Sequence, residues 1–262
     1  MTTATTPELL QFAFSHYNEK ARWALDWKGV PHRRRSLLPG PHRAIVRRLT
    51  GQNQVPVLRW GDQVVAGSAT IIEHLERQRP APPLYPASEA SRREALDLAR
   101  WFDDEVGGPI RLAFFHDFLR DGGYAARCFA AKEGALGAGL YRLAFPMIRV
   151  VMRRDMKIDA AGAERGIART MEALDQVARR AGSDGYLVGD AFTVADLTAA
   201  SLLSVVVFPK ESPVPVPEPR SPVLARWLER FAGHPGTQWV ASIYRRHRGT
   251  SSEAQSDAAE AA

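Results

Sequence analysis

The chain has 262 residues, 45% of them hydrophobic, which is enough to bury two ordinary cores, and two domains are expected. A single cysteine, Cys128, excludes an internal disulfide, a zinc cluster and a CxxC redox pair, and with no secretory signal and no uncharged apolar run of about 18 residues the expected location is the cytoplasm. The net charge of +6 is uneven: residues 1–86 hold 12 Lys+Arg against 6 Asp+Glu, while residues 87–262 hold 23 against 23, so the basic face built around Arg33, Arg34, Arg35, Arg43, Arg47 and Arg48 is local; no nucleic-acid-binding module accompanies it.

In chain order, Leu9 to Phe14 reads as a strand, and Glu19 to Lys28 as a helix with Ala21, Ala24, Leu25 and Lys28 on one face. Gly29-Val30-Pro31 stops that helix. His32 to Leu37 forms a second strand, and a basic helix runs from His42 to Leu49 after Pro39-Gly40-Pro41. Val55 to Trp60 and Gln63 to Ala66 pair as strands around Gly61-Asp62. Ser68 caps a helix over Ala69 to Gln78. The proline-rich stretch 81–88 is the linker between a first domain, 8–80, and a second, 89–248.

The second domain reads as all helical. Helices are expected over Ala90–Val106, Tyr124–Ala135, Leu140–Lys157 and Ala161–Ala181. A capping box formed by Thr193 and Asp196 opens a buried helix, Val194–Val207. Six prolines keep Pro209 to Pro222 irregular, and short helices over Val223–Phe231 and Gln238–His247 close the domain. Residues 249–262 are small, polar and acidic, and are expected to be disordered.

This order of elements resembles the cytosolic glutathione S-transferases, serine-type and bacterial-like. The resemblance rests on Ser15-His16-Tyr17-Asn18-Glu19-Lys20-Ala21-Arg22, similar to the family's first strand-to-helix turn; on Gln54-Val55-Pro56-Val57-Leu58, similar to its cis-proline segment; on Pro83-Leu84-Tyr85-Pro86 at the linker; and on Leu187 to Asp196, similar to the cap of its helical domain. It implies a thioredoxin-like α/β domain followed by an all-α bundle. It also implies a homodimer, and an activity in detoxification that joins the glutathione thiol to a small hydrophobic electrophile. Glutathione is then a co-substrate, and no metal is needed.

Carried onto this sequence, the resemblance makes Ser15 the group facing the glutathione sulfur, with Tyr17 or Asn18 as alternative donors. A cis peptide at Pro56 costs proline only ~0.5–1 kcal/mol. It would let Val55 offer its backbone to the ligand as an added strand does. Ser68 at a helix start would receive the γ-glutamyl carboxylate. Gly67 stands where many relatives place an acid for the ammonium group. His42 and Arg43 would meet the glycine carboxylate, and Trp101, Phe102, Phe114 and Phe115 would line the electrophile pocket.

Two readings compete with the transferase. One is a non-enzymatic binding or scaffold protein that keeps the fold, prompted by Gly67 and by His16 in place of the family's proline. The other is a peripheral association with membranes through Tyr141, Phe145, Ile148 and Met152 beside Arg142, Arg149, Arg153 and Arg154. A core-facing helix with a solvated basic edge is the expectation preferred over the second.

Overall fold

The computed structural model describes residues 5–254. Four short strands, β1 (Glu8–Gln11), β2 (Arg33–Ser36), β3 (Val57–Trp60) and β4 (Gln63–Ala66), form one sheet in the order β2-β1-β3-β4. β2 runs parallel to β1, while β3 and β4 are antiparallel to their neighbours. The two-residue periodicity of a strand divides the apolar residues between the faces. Leu9 and Leu58 join α1 (His16–Trp27) and α3 (Ser68–Gln78) in the main core, while Leu10 and Val57 join Leu37 and Val46 of α2 (His42–Thr50) in a small second core. This is the thioredoxin-like domain.

The all-helical domain follows. Its first helix is longer than the sequence suggests. α4 (Glu89–Trp101) continues through a π-helical segment, Phe102–Gly107, into α5 (Gly108–Phe118). Gly107-Gly108-Pro109 does not stop it, because the π-helical turn immediately before Pro109 accommodates the proline within the helix. Gly107 is required there: a Cβ would lie 2.2 Å from the Tyr17 hydroxyl. Then come α6 (Gly122–Phe129), α7 (Ala135–Asp155), α8 (Ala160–Arg180), α9 (Val194–Leu203), α10 (Pro222–Glu229) and α11 (Pro235–His247). The capping box at α9 is present. Asp196 accepts from the Thr193 N–H and hydroxyl, both at 2.9 Å, and from the Leu187 N–H at 2.8 Å.

One expectation is overturned at the end of the chain. Gly249 to Ala254, read as disordered from composition, docks on the first domain; residues 255–262 lie outside the described residues. Ser252 N–H donates to Asp26 at 2.7 Å, Ala254 N–H donates to the His32 carbonyl at 2.8 Å, and Glu253 forms a parallel bridge with His32. Arg248 reaches into the same place, donating to Glu19 at 2.6 Å and to Asp26 at 2.9 Å. Backbone pairing and buried ion pairs supply what the small side chains do not.

α1 and α7 carry the outcomes least expected from sequence. On α1, Glu19, Lys20, Arg22 and Asp26 are buried. On α7, Tyr141 and Phe145 face the core as preferred, but Leu136, Leu140, Leu143, Met147, Val150 and Val151 are exposed.

Candidate functional site

The register gathers four connections at one end of the sheet. β1 leaves the sheet past Gln11, paired with Ser36 at the end of β2, while Leu10 sits opposite Val57 at the start of β3 and Val57 opposite Ala66 at the end of β4. Ser15, Val55-Pro56, Gly67-Ser68 and His42-Arg43 therefore all follow or precede strands at this end. Two hydrogen bonds tie the loops together: Gly67 N–H donates to the Pro56 carbonyl at 2.9 Å, and Leu37 N–H to Gln11 at 2.7 Å.

Ser15 is the N-cap of α1, extended at φ −163°, and its hydroxyl oxygen accepts the Asn18 N–H at 3.3 Å. Arg22 fixes the turn that presents it. Its guanidinium donates to Gln11 at 2.6 Å, to the Phe12 carbonyl at 3.2 Å, to the Ser15 carbonyl at 3.3 Å and to Glu19 at 2.8 Å. In the sequence Arg22 stands out only as the last residue of the Ser15–Arg22 motif, with nothing to mark its role. The Asn18 side chain is buried, and neither amide atom has a partner among the described residues.

The neighbours of Ser15 point elsewhere. Tyr17 donates its hydroxyl to the Asp103 carbonyl at 2.9 Å, and burial pushes its pKa up to about 12, so its proton is committed to the helical domain. His16 is buried and its pKa is lowered to about 3, first by desolvation and then by the nearby Arg111 cation; the ring is neutral. Lys20 donates to Asp103 at 2.5 Å.

The Val55-Pro56 peptide is cis. Val55 is half-buried, and neither its N–H nor its C=O is hydrogen-bonded among the described residues. Gly67, not Ser68, is the N-cap of α3, and Ser68 is its buried first residue. At Gly67 φ is +95°, a region an aspartate or glutamate would occupy only with strain.

Other expected site residues fare differently. His42 is buried with both ring nitrogens on backbone groups, accepting from Gly40 N–H at 3.2 Å and meeting the Asn53 carbonyl at 3.0 Å, and burial lowers its pKa. It braces the loop before β3 and leaves no nitrogen for a ligand. Arg43 is exposed and pairs with Asp155 at the end of α7. Phe102, Phe114 and Phe115 are buried in the core: Phe114 alone packs against Phe14, Phe118, Phe208 and Trp227. Trp101 is half-buried against Phe102. An open cleft runs along α5 and α8, between Arg111, Leu112, Met156 and Arg165, and Arg111 also lies over the Tyr17 ring, 5.9 Å from its centroid.

Comparison with known families agrees with this architecture. The glutathione S-transferase N-terminal domain matches residues 9–83 and the glutathione S-transferase C-terminal domain matches residues 160–230, together more than half of the chain. The chain belongs to the glutathione S-transferase family. A curated relative, a maleylpyruvate isomerase from a Ralstonia species, is 32% identical over 134 residues, 50% of this chain and 60% of the relative; the matched stretch thus spans less than two thirds of that protein. Among solved structures, the glutathione S-transferase of Rhodospirillum rubrum superposes with a TM-score of 0.57 at 21% identity, covering 90% of this chain and 91% of the other. The beta-etherase of a Sphingobium strain reaches 0.59 at 18% identity, over 91% and 99%. A transferase of Methylobacterium radiotolerans, solved with glutathione sulfonate, reaches 0.55 at 23% identity, over 96% and 97%. At these identities the structures share the fold alone, and α4 to α7 lie between the two matched stretches.

Proposed function

We propose that the protein holds glutathione at the shared end of the sheet and delivers its thiolate to a small electrophile, with Ser15 as the donor to sulfur. The Ser15 hydroxyl carries this reading. Its oxygen already accepts the Asn18 N–H, so its O–H is available to a ligand at the N-terminus of α1. Lowering a thiol pKa from ~8.5 by about two units needs ~2.7 kcal/mol. A hydrogen bond to a charged group contributes ~1.5–3 kcal/mol and a helix N-terminus ~0.3–1 kcal/mol, so the two suffice without a general base.

The unbonded N–H and C=O of Val55 suit pairing with an extended peptide. Ser68 and the free N–H groups of the first turn of α3 suit a carboxylate. Arg43 would reach the second carboxylate by giving up Asp155, an exposed pair of small worth. The cleft beside Arg111 is the place for the electrophile, and a homodimer is the assembly the family suggests.

A conjugation assay with an activated chloroarene tests this. Ser15→Ala should lower kcat/KM about 10- to 100-fold, the worth of one charged hydrogen bond, and move the pH–rate midpoint up toward ~8.5. Unchanged turnover and an unchanged midpoint would remove Ser15 from the mechanism.

A second reading, a binding protein that keeps the fold without the activity, is favoured by Gly67 alone. An ammonium group lacking its carboxylate loses ~1.5–3 kcal/mol of binding. Calorimetry separates the two readings: no heat with millimolar glutathione supports the second.

A further inference from the structure

Almost all the large apolar side chains exposed among the described residues belong to one helix; Val64 is the exception. On α7, Leu136, Leu140, Leu143, Met147 and Val150 recur at alternating intervals of four and three, which puts them in one stripe. Leu136 is 79% exposed, Leu143 82% and Met147 70%. The opposite side holds the helix to the protein: Tyr141 donates to the Pro39 carbonyl at 3.3 Å and Phe145 packs on Phe129 at 5.8 Å. α7 has 21 residues, and its best 18-residue window has a mean hydropathy of 1.3, apolar enough to cross a bilayer. A helix anchored along one side can offer a membrane only its other side, so it can lie in the interface and cannot span.

The charge beside the stripe selects the occupant. Arg142, Arg153 and Arg154 form no ion pair among the described residues, and the one acid on α7, Asp155, is already taken by Arg43. Arg142 and Arg149 flank a groove between α6 and α7 lined by Gly122, Gly139 and Pro146. Through Arg43 the patch continues into exposed Arg47 and Arg48 of α2. A second α7 laid along the stripe would meet it with Gly137, Gly139, Ala144, Pro146, Val151 and Arg153 at the flanking positions, and the one acid there, Asp155, already holds Arg43, so it offers the arginines no free anion. Phosphate headgroups above acyl chains satisfy both halves of the surface at once.

We propose that α7 docks this protein on an anionic phospholipid bilayer, its Leu136–Val150 stripe in the acyl boundary and its arginines among the headgroups. The inference stands apart from the glutathione reading, since neither the Leu136–Val150 stripe nor Arg142, Arg153 and Arg154 belongs to the Ser15 end of the sheet; Arg43 alone is shared. Cosedimentation of the full chain with phosphatidylcholine vesicles, with and without phosphatidylglycerol, tests it. The expected result is at least tenfold stronger binding to the anionic vesicles, weakened by raised salt, and at least tenfold weaker binding for Leu143→Asp and for the double variant Arg153→Glu/Arg154→Glu. Circular dichroism melting keeps loss of fold apart from loss of docking, Leu143 and Arg154 being exposed and Arg153 half-buried. Equal binding to neutral vesicles, no binding, or binding indifferent to Leu143→Asp would overturn the proposal. So would sedimentation velocity showing that Leu143→Asp splits a dimer, which would make the stripe an interface between copies.

Discussion

α1 and α7 are inverted versions of one another. α1 is rich in charge, and it is the buried helix: Glu19, Lys20, Arg22 and Asp26 lie inside, each paired. α7 is rich in leucine, methionine and valine, and it shows them to solvent. The difference teaches that burial follows where the chain is needed rather than composition alone. α1 sits where three parts of the molecule meet, the sheet, the π-helical segment and the docked tail, and its charges are the joints. Asp26 receives Arg34 through both oxygens at 2.7 Å, together with Arg248 and the Ser252 N–H. α7 is packed along one side only, and the remainder is left for something outside the chain.

Substitutions in both helices sharpen this contrast. The largest effect is expected in α1. Glu19→Ala leaves Arg22 buried without its carboxylate and Arg248 with Asp26 alone, and should cost about 3–5 kcal/mol, read by urea unfolding. Phe145→Ala, on the packed side of α7, should cost about 3–5 kcal/mol by opening a cavity. A loss below about 1 kcal/mol for either would mean that the helix is not joined as described.

Acid provides the next test. His16 has a folded-state pKa of about 3 against 6.5 in the unfolded chain, so between these values the unfolded state binds more protons. Its contribution is complete above about pH 6.5 and declines as the pH falls toward 3, with a slope of at most ~1.4 kcal/mol per unit. His16→Gln should flatten the pH dependence of Tm in that window; an identical slope would contradict a buried neutral imidazole. The smallest effect is expected on the open side of α7, where Leu143→Ser should leave stability within about 0.5 kcal/mol. A cost comparable to that of Phe145→Ala would show that the stripe is covered.

Much of the fold was legible because its signals are local. Proline and glycine punctuated the strands, and Thr193 and Asp196 announced α9 before any packing was known. The end of the sheet was legible through spacing, since Ser15, Pro56 and Ser68 each stand beside a strand end. What stayed hidden depends on distant partners. Neither the clamp of Arg22 on Gln11 and Phe12 nor the use of both His42 nitrogens by backbone leaves a trace in nearby sequence. Aromatic spacing does not distinguish a core from a pocket, and Phe114 and Phe115, read as pocket residues, lie buried in the core. The exposed stripe of α7 was missed because an apolar period states that a face is covered without saying by what.

The docked segment from Gly249 to Ala254 also sets an order of events during synthesis. Asp26 and Arg248 are 222 residues apart in the chain, so when Asp26 leaves the ribosome its second cation has yet to be made. The sheet can assemble early, but the charges inside α1 reach balance only once Arg248 has been made. The completion of the first domain is thus tied to a segment that follows the whole helical domain in the chain.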